Sequence, residues 1–318
     1  MILVCGIPSE PPVARVVDAA EELGVPVVVV NQRQAAWYDV TVAVDGTGPA
    51  GTLTAGGTDY PLAGFAGVYL RLTDPTVLPE QRRAAGQAPE TAARVSMLTT
   101  ALGEWCEITP ARVANRLSAM ASNAAKPYQT QLIHAAGFGT PPTLVTNDPA
   151  AVREFAAAHG RVVYKSTSSV RSVVRELTDA RDRDLDRVRA LPTQFQAYLQ
   201  GTDVRVHVVG EEVFACEVRS AAVDYRYAGQ DGLDVEMRPV RLPAQVAERC
   251  RQVAALLGLP LVGLDLLVDP DGTWWCFEAN PSPAYSCFEE PTGLPIAAAL
   301  VRWLETGRAG PAGGPAVG

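Results

Sequence analysis

Two apolar segments, residues 261–268 and 273–279, are joined by the sequence Asp-Pro-Asp-Gly at residues 269–272. Their branched and aromatic side chains are typical of buried strands, and Asp, Pro and Gly are the residues that tight turns favour. The pattern predicts an antiparallel hairpin. Such a hairpin constrains the fold strongly, because its register decides which side chains enter the core.

Three oxygen-bearing side chains interrupt this apolar hairpin: Asp265 in the first strand, and Glu278 and Asn280 in the second. If the loop has an even number of residues, Asp265 lies opposite Cys276 and shares a face with Glu278 and Asn280, because side chains alternate along a strand. Two carboxylates and an amide oxygen suit Mg²⁺, which keeps several positions for water and phosphate. The alternative is a pair of solvated acids on the polar face of an edge hairpin.

The composition excludes several classes of protein. The chain has 318 residues, of which 47% are hydrophobic and 19% charged, and it contains no membrane-spanning run and no signal-peptide pattern. We therefore expect a cytoplasmic protein of about two or three domains without a membrane partner. A net charge of −8 without a basic cluster argues against nucleic-acid binding. Six scattered cysteines with no CxxC pair predict buried thiols rather than disulfides or a zinc site.

The N-terminal part alternates strands and helices. Residues 2–7 and 25–31 predict strands on either side of a helix at residues 13–23, which is a strand–helix–strand unit of the doubly wound, Rossmann-like kind. We therefore expect a small α/β domain at residues 1–100. The turn after the first strand lacks the G-x-G-x-x-G pattern, so a dinucleotide fingerprint is absent.

The rest of the chain predicts a mixed α+β arrangement. A helical stretch broken near Pro110 is followed by strand, helix and strand from Thr143. We expect a central subdomain with linker helices at residues 101–192 and a C-terminal subdomain at residues 193–307. The Gly-, Pro- and Ala-rich end at residues 308–318 predicts a disordered tail.

Two lysines stand where they can reach phosphate. Lys165 ends an apolar strand and precedes a loop of small hydroxyl residues, whose N–H groups can lie over a phosphate chain. Lys126 begins a predicted helix. Taken singly, each lysine is better explained as a surface residue, Lys126 most of all.

Charged residues also occur in the strands that follow. Asp203 opens a strand in which Arg205 and His207 alternate with valines, and Arg219 lies in the next strand. An arginine inside a strand is costly unless it is paired or faces a ligand, so Arg205 and Arg219 are candidate phosphate-binding residues. We interpret His207 as a packed sheet residue rather than a catalytic base.

The order of these motifs resembles the ATP-grasp superfamily of carboxylate–amine ligases. The resemblance covers roughly residues 115–304 and rests on the two lysines and on the segments FQAYL, GTDVRVHVVG, GLDLLV and FEANPSPAY. It implies an ATP-grasp fold of the α/β (α+β) class behind an N-terminal Rossmann-like domain, with ATP and Mg²⁺ as cofactors.

The resemblance implies a nucleotide-binding role for several residues. Lys126 and Lys165 would contact the ATP phosphates, and Asp203 would hold the ribose hydroxyls. The adenine would lie against the backbone of a hinge that consists of Gln196, Ala197, Tyr198 and Leu199.

The resemblance also implies which residues take part in the chemistry. Asp265, Glu278 and Asn280 would bind Mg²⁺, and Arg205 or Arg219 would steady an acyl phosphate.

Within the superfamily, the segments KPYQ and EVRSAAVDYRY, and YLRLTDP at residues 69–75, are similar to peptide-maturing ligases of the microviridin type. Three departures from the family pattern matter. Ala197 stands where the hinge often has an acid, the loop after Lys165 lacks glycines, and Gly263 stands where some dipeptide-forming members have an arginine.

We interpret the chain as an ADP-forming ligase that activates a carboxylate as an acyl phosphate and couples it to an amine, in peptide modification or natural-product biosynthesis. The alternatives are a phosphotransferase acting on a small-molecule hydroxyl, with Asp224 as the weak candidate base, an ester-forming peptide ligase, and a silent ATP-binding scaffold.

The substrates are not readable from the sequence. Arg71 and Arg226 are candidates to grip a carboxylate, and Tyr225 and Tyr285 are candidates for apolar walls. Surface arginines and core aromatics are an equally good explanation. The sequence leaves open a peptide, an amino acid or a secondary metabolite as substrate, an amide or an ester as product, and a homodimer as the assembly.

Overall fold

The computed structural model describes residues 1–46, 48–166, 174–178, 185–220 and 234–307. Within these ranges the strands form four sheets. The described residues include no helix that is both long and apolar enough to cross a bilayer.

The strands and helices follow the chain in alternating groups. The strands are β1 (Ile2–Gly6), β2 (Val27–Asn31), β3 (Asp39–Asp45), β4 (Gly48–Ala55), β5 (Thr58–Pro61), β6 (Gly67–Leu70), β7 (Arg112–Ala114), β8 (Thr143–Thr146), β9 (Val162–Ser166), β10 (Arg175–Glu176), β11 (Thr193–Ala197), β12 (Thr202–Val209), β13 (Glu212–Ser220), β14 (Val235–Val240), β15 (Leu261–Val268) and β16 (Trp274–Asn280). The helices are α1 (Pro11–Glu22), α2 (Pro79–Gln87), α3 (Pro89–Ile108), α4 (Leu117–Met120), α5 (Lys126–Ala135), α6 (Pro149–His159), α7 (Ala244–Leu257), α8 (Ser286–Thr292) and α9 (Ile296–Thr306).

The first sheet is parallel, with the strand order β2–β1–β6–β7. Every residue of β1 is buried, because helices cover both faces of the sheet. Val4 packs in one core with Val13 of α1 and Leu300 of α9. Leu3 packs on the other face with Trp105 of α3. The α/β character predicted for the N-terminal part is confirmed.

The predicted limit of this domain at residue 100 falls inside α3. The helix shares a core with the first sheet from Val95 to Cys106, and β7 then adds the fourth strand. The first sheet therefore takes in the chain as far as Ala114. A separate antiparallel sheet, β3–β4–β5, is a feature that the sequence analysis did not predict.

The second sheet is antiparallel, with the order β10–β9–β11–β8, and α6 packs on it. Phe195 of β11 lies in its core with Val152, Val162 and Leu185. The sequence had placed β11 in the C-terminal subdomain. Its pairing with β8 and β9 instead makes it the strand that completes the second sheet.

The third large sheet is antiparallel, with the order β14–β13–β12–β15–β16. One face is apolar and is covered by α5 and α7, where Val206 and Leu264 meet Ile133 and Val253. The other face carries charged side chains, and α8 covers part of it through Phe288. The charged face is the one that forms the site described below.

The last helix returns to the first sheet. Arg112 of β7 donates from Nε to the carbonyl of Leu304 at 3.0 Å and also bonds the carbonyl of Glu305. Gly67 of β6 lies so close to the backbone of Leu304 that any Cβ there would overlap it. The two ends of the described chain are thus packed into one core.

Candidate active site

The hairpin β15–β16 places Asp265 directly opposite Glu278, and not opposite Cys276 as predicted. The two carboxylates are therefore immediate cross-strand neighbours, with Asn280 two residues further along the same face. Cys276 is 1% exposed and lies on the opposite, apolar face.

The register differs from the predicted one by two residues. Asp269 accepts the N–H of Thr273 at 2.8 Å, which holds that residue in the turn and delays the pairing by one position. A β-bulge after Asp265 adds the second position. Because a shift of two preserves the alternation, Glu278 and Asn280 remain on the predicted face.

Two lysines from different parts of the fold converge on Glu278. The Nζ atoms of Lys165, near the end of β9, and Lys126, at the start of α5, lie 3.4 and 3.6 Å from Glu278 Oε2. Lys126 also donates to Asn123 Oδ1 at 2.7 Å. Burial lowers the pKa of Lys126 from its ordinary value, and Lys165 lowers it further while Glu278 opposes the shift.

These two residues are the only lysines in the 318-residue sequence. Every other basic side chain except histidine is an arginine. This scarcity is visible in the sequence without a structure. Lysines that persist in a chain otherwise rich in arginine are a signal for a position that needs a compact ammonium group.

Arg205 holds the other carboxylate. It pairs with Asp265 across β12 and β15 and forms an ion pair with it through Nη1. The guanidinium packs over the Phe288 ring, 5.6 Å from its centroid. Gly263 provides the space, because a Cβ there would overlap Nη2 of Arg205 and lie 2.8 Å from Pro283 Cβ.

His207 supports this arginine from the same strand. It is fully buried, and its Nε2 accepts the Nε–H of Arg205 at 3.4 Å. Burial, with Arg205 adding to it, lowers the pKa of His207 well below its ordinary value, so the imidazole is neutral. This agrees with its interpretation as a packed sheet residue.

Arg219 does not join this group. Alternation along β13 places it, with Glu217, on the face opposite to Arg205 and Asp265. Its side chain is 62% exposed and forms an ion pair with Glu217 at 2.5 Å. Arg219 therefore lies apart from the charged group, and its role in steadying an acyl phosphate stays a prediction. Arg205 is the arginine that the fold brings to the site.

The proposed hinge lies between the second and third sheets. The Ala197 N–H bonds the carbonyl of Pro142 at 3.0 Å, and the Tyr198 N–H bonds the carbonyl of Arg161 at 2.9 Å. The Arg161 guanidinium lies 3.8 Å from the centroid of the Tyr198 ring.

The remaining hinge and ribose candidates flank these contacts. Gln196 donates to Thr143 Oγ1 at 3.0 Å and is largely buried, whereas Leu199 is partly exposed. Asp203 is the second residue of β12 and lies on the face that carries Arg205. The hinge and ribose candidates thus lie at the two sheets that border the charged group.

The predicted substrate residues have different outcomes. Arg71 donates from Nε to Glu10 at 3.0 Å and from Nη1 to Ser282 Oγ at 2.8 Å, so it holds the loop that follows Asn280. Tyr285 is fully buried and donates to the carbonyl of Pro12 at 2.5 Å. Because α1 of the N-terminal domain covers Tyr285, the side chain offers no exposed surface in this structure, and its role as a substrate wall stays a prediction.

Three further residues that the sequence analysis named, Asp224, Tyr225 and Arg226, lie outside the described residues.

Two buried amides were missed from the sequence. Asn115 bonds the N–H and carbonyl of Leu261 and the carbonyl of Pro281, which ties the start of β15 to the end of β16. Gln129 bonds both backbone groups of Ala279. No sequence signal distinguishes such an amide from a solvated one.

The donor set fits Mg²⁺. Asp265 and Glu278 present carboxylate oxygens on one face, and Asn280 adds an amide oxygen that also accepts the N–H of Ser282 at 2.9 Å. An ion with several water or phosphate ligands needs no more than such oxygen atoms from the protein. The described residues contain no cluster of three or more His, Cys, Asp or Glu side chains that would suit a fully protein-bound metal. Three cations, Lys126, Lys165 and Arg205, against two carboxylates leave the group one positive charge in excess, which favours an anionic ligand.

Comparison with known proteins identifies the fold family. The RimK-like ATP-grasp domain matches residues 127–304, which is more than half of the chain. The chain belongs to the RimK-like ATP-grasp family. The prediction of an ATP-grasp ligase is therefore confirmed.

Relatives of this ATP-grasp protein include glutamate ligases. A probable alpha-L-glutamate ligase of Alkalilimnicola ehrlichii is 26% identical over 230 residues, which cover 69% of this chain and 76% of that protein. A ribosomal protein bS6–L-glutamate ligase of Escherichia coli is 30% identical over 149 residues, which cover 45% of this chain and 49% of that protein. The second match thus spans about half of the relative.

The ATP-grasp ligase PsnB matches over nearly the whole chain. PsnB, complexed with a phosphomimetic variant of minimal precursor, Mg and ADP, gives a TM-score of 0.78 at 26% identity. The match covers 95% of this chain and 97% of PsnB. The N-terminal domain, which the family match leaves out, is thus part of a shared architecture.

Proposed function

We propose that this ATP-grasp ligase uses ATP and Mg²⁺ to convert a carboxylate into an acyl phosphate and couples it to an amine, with release of ADP and phosphate. The observation that carries the proposal is the convergence of Lys126 and Lys165, the only lysines of the chain, on the Glu278 carboxylate that faces Asp265. Such a group suits a polyphosphate and its metal ion.

Each charged residue has a role in this proposal. Lys126 and Lys165 bind the phosphate oxygens of ATP. Asp265, Glu278 and Asn280 hold Mg²⁺, which supplies charge screening and polarisation of the γ-phosphate. The adenine lies against the hinge of residues 196–199, and the ribose lies near Asp203.

The chemistry is two successive displacements. A carboxylate oxygen of the substrate attacks the γ-phosphorus, the bond from that phosphorus to the β–γ bridging oxygen breaks, and ADP leaves with the bonding electrons. The amine nitrogen then attacks the acyl carbon, and phosphate leaves with the electron pair of the C–O bond and takes up the amine proton. Arg205, the cation paired with Asp265, offsets the negative charge that passes between these groups.

We propose a peptide as the source of the carboxylate. The support is the match to PsnB, whose structure contains a phosphomimetic variant of minimal precursor. This match extends over the N-terminal domain as well as the ATP-grasp part. The glutamate ligases match a smaller share of this chain. A free amino acid is therefore the alternative substrate against which a peptide is tested.

The test is a screen for ADP release over peptides rich in Glu, Asp, Lys, Ser and Thr and over free amino acids, with mass spectrometry of the products. Equal amounts of ADP and phosphate, with loss of one water for each new bond within a peptide, are expected. AMP and pyrophosphate would contradict the acyl-phosphate mechanism, and a stable phosphorylated product without free phosphate would indicate a phosphotransferase. Mild alkali distinguishes an ester from an amide.

The variant Glu278→Gln tests the metal site. It keeps the size of the side chain but removes one carboxylate charge, so the fold should persist while activity falls and is partly restored by high Mg²⁺. Unchanged activity with the wild-type Mg²⁺ dependence would show that Glu278 is not a metal ligand.

A further inference from the structure

Gln129 connects the helix that carries Lys126 to the strand that carries Glu278. It is 1% exposed and lies on α5, three residues after Lys126. Its Nε2 donates to the carbonyl of Ala279 at 2.7 Å, and its Oε1 accepts the N–H of Ala279 at 3.0 Å. Ala279 stands between Glu278 and Asn280 on β16.

This double contact fixes the helix against the strand. Both backbone groups of Ala279 are satisfied by one side chain, and a buried N–H or carbonyl without a partner is costly. The amide can bond both groups only at one position along the strand, so it fixes how far α5 can slide past β16.

The spacing at the charged group depends on that position. Residues three apart on a helix lie on the same face, so Gln129 and Lys126 both face β16. With Gln129 bonded to Ala279, the Lys126 Nζ lies 3.6 Å from Glu278 Oε2. A slide of the helix would change this distance without breaking the helix itself.

We propose that Gln129 is a positioning residue of the nucleotide site: it sets the separation of Lys126 from Glu278 at which the phosphates and Mg²⁺ bind. This inference rests on the proposed function, because it takes these two residues as ligands of the nucleotide and its metal. Gln129 itself touches neither ligand and acts through the placement of α5 on β16.

The chain contains a matched control for the loss of such a contact. Gln32 is also 1% exposed, accepts the N–H of Thr73 at 2.8 Å and bonds the carbonyl of the same residue. This contact lies in the N-terminal domain and involves neither α5 nor β16. Its removal costs the same kind of hydrogen bonds and leaves the contact between α5 and β16 in place.

The test compares Gln129→Met with Gln32→Met in the full chain. Both variants keep the length of the side chain and lose both hydrogen bonds. Binding of ADP in the presence of Mg²⁺ is measured by isothermal titration calorimetry, at a temperature below the thermal transition of every variant. Gln129→Met is expected to bind Mg·ADP about tenfold more weakly than wild type, which corresponds to 1.4 kcal/mol. Gln32→Met is expected to bind as wild type does.

Gln129→Asn provides a second, milder variant if Gln129→Met does not fold. It keeps the amide but is shorter by one methylene, so it can bond Ala279 only if α5 moves toward β16. Weaker Mg·ADP binding with a thermal transition near that of wild type is expected.

Wild-type binding by a folded Gln129 variant would overturn the inference, as would equal weakening by Gln32→Met. If the wild-type protein itself does not bind Mg·ADP, the proposed function fails, and the inference fails with it. These outcomes are distinguishable because only the last one concerns the unmodified chain.

Discussion

Arg205 and Asp265 are directly paired residues on neighbouring strands, and their side chains form an ion pair across the sheet. Asp265 is in turn paired directly with Glu278 on the next strand. Three adjacent strands therefore present a cation and two carboxylates in one row. The register of the sheet sets the positions of these charges. A local change in backbone packing therefore changes the distances between them.

The two candidate arginines should separate in an activity assay. We expect Arg205→Ala to lower kcat roughly 10²-fold or more, as loss of a group that faces developing charge does, with little change in the binding of ATP. Arg219→Ala should keep near wild-type kcat, because its side chain lies on the opposite face with Glu217. The measurement is steady-state ADP release, and the reverse order of effects would assign the chemistry to Arg219.

Because the sequence contains only two lysines, chemical labelling of amines reports directly on the site. The primary amines that an acylating reagent can convert to stable amides in this sequence are Lys126, Lys165 and the N-terminal amine. We expect Mg·ADP to protect both lysines and to leave the N-terminal amine reactive, as measured by peptide mass mapping. Equal labelling of the lysines with and without nucleotide would place the phosphates elsewhere.

Lys165→Ala should weaken ATP binding by roughly 1.5–3 kcal/mol, the usual contribution of a hydrogen bond to a charged group.

Gly263 should tolerate no side chain. In Gly263→Ala the new methyl group would overlap the guanidinium of Arg205, so Arg205 must move and activity should fall, with a stability loss of about 1–3 kcal/mol. Gly86 of α2 has no neighbouring atom within 4 Å of an added Cβ. Gly86→Ala should therefore stabilise the protein by about 0.5–1 kcal/mol without affecting activity. Thermal unfolding and ADP release together check the pair, and an active Gly263→Ala would contradict the packing of Arg205.

Glu289 should contribute a pH dependence to stability. Burial raises the pKa of its carboxyl above the ordinary value, although the Ala297 N–H at 2.7 Å and Arg15 partly oppose the shift. A carboxyl with a raised folded-state pKa binds more protons when folded, so its stabilising contribution is complete below its unfolded pKa of about 4.3 and is lost as the pH rises through the folded value.

The variant Glu289→Gln, which cannot ionise, isolates this effect. Its stability relative to wild type should increase as the pH rises from about 4 toward neutrality. The midpoints of thermal unfolding of both proteins across this range provide the measurement. A constant difference between the two proteins would show that Glu289 titrates normally in the folded state.

Strand periodicity was sufficient to place the two carboxylates on one face, because alternation is a local property of the chain. It was not sufficient for the register. The side-chain contact of Asp269 within the turn and the bulge after Asp265 each moved the pairing by one residue, and neither changes the apolar pattern. The predicted face of Glu278 and Asn280 is nevertheless correct, because the two shifts sum to an even number of residues.

Other features depended on contacts between distant parts of the chain. Tyr285 follows a Pro-rich turn, as an exposed aromatic would, but α1 buries it through a contact with Pro12. Gln129 lies in an amphipathic helix, where an amide ordinarily faces solvent. Its partner is Ala279, 150 residues later in the chain. No local pattern encodes such a pairing.

The return of α9 to the first sheet has a consequence for how the site is assembled. Arg112 fastens the last helix to β7, and Arg71 fastens the loop after Asn280, so the first sheet and the sheet that bears Asp265 form a single block. The second sheet has its own small core around Phe195 and carries Lys165. The charged group therefore spans two cores, because the second sheet positions Lys165 while the block positions Arg205, Asp265 and Glu278. The fit of a phosphate chain depends on how closely these two cores approach each other.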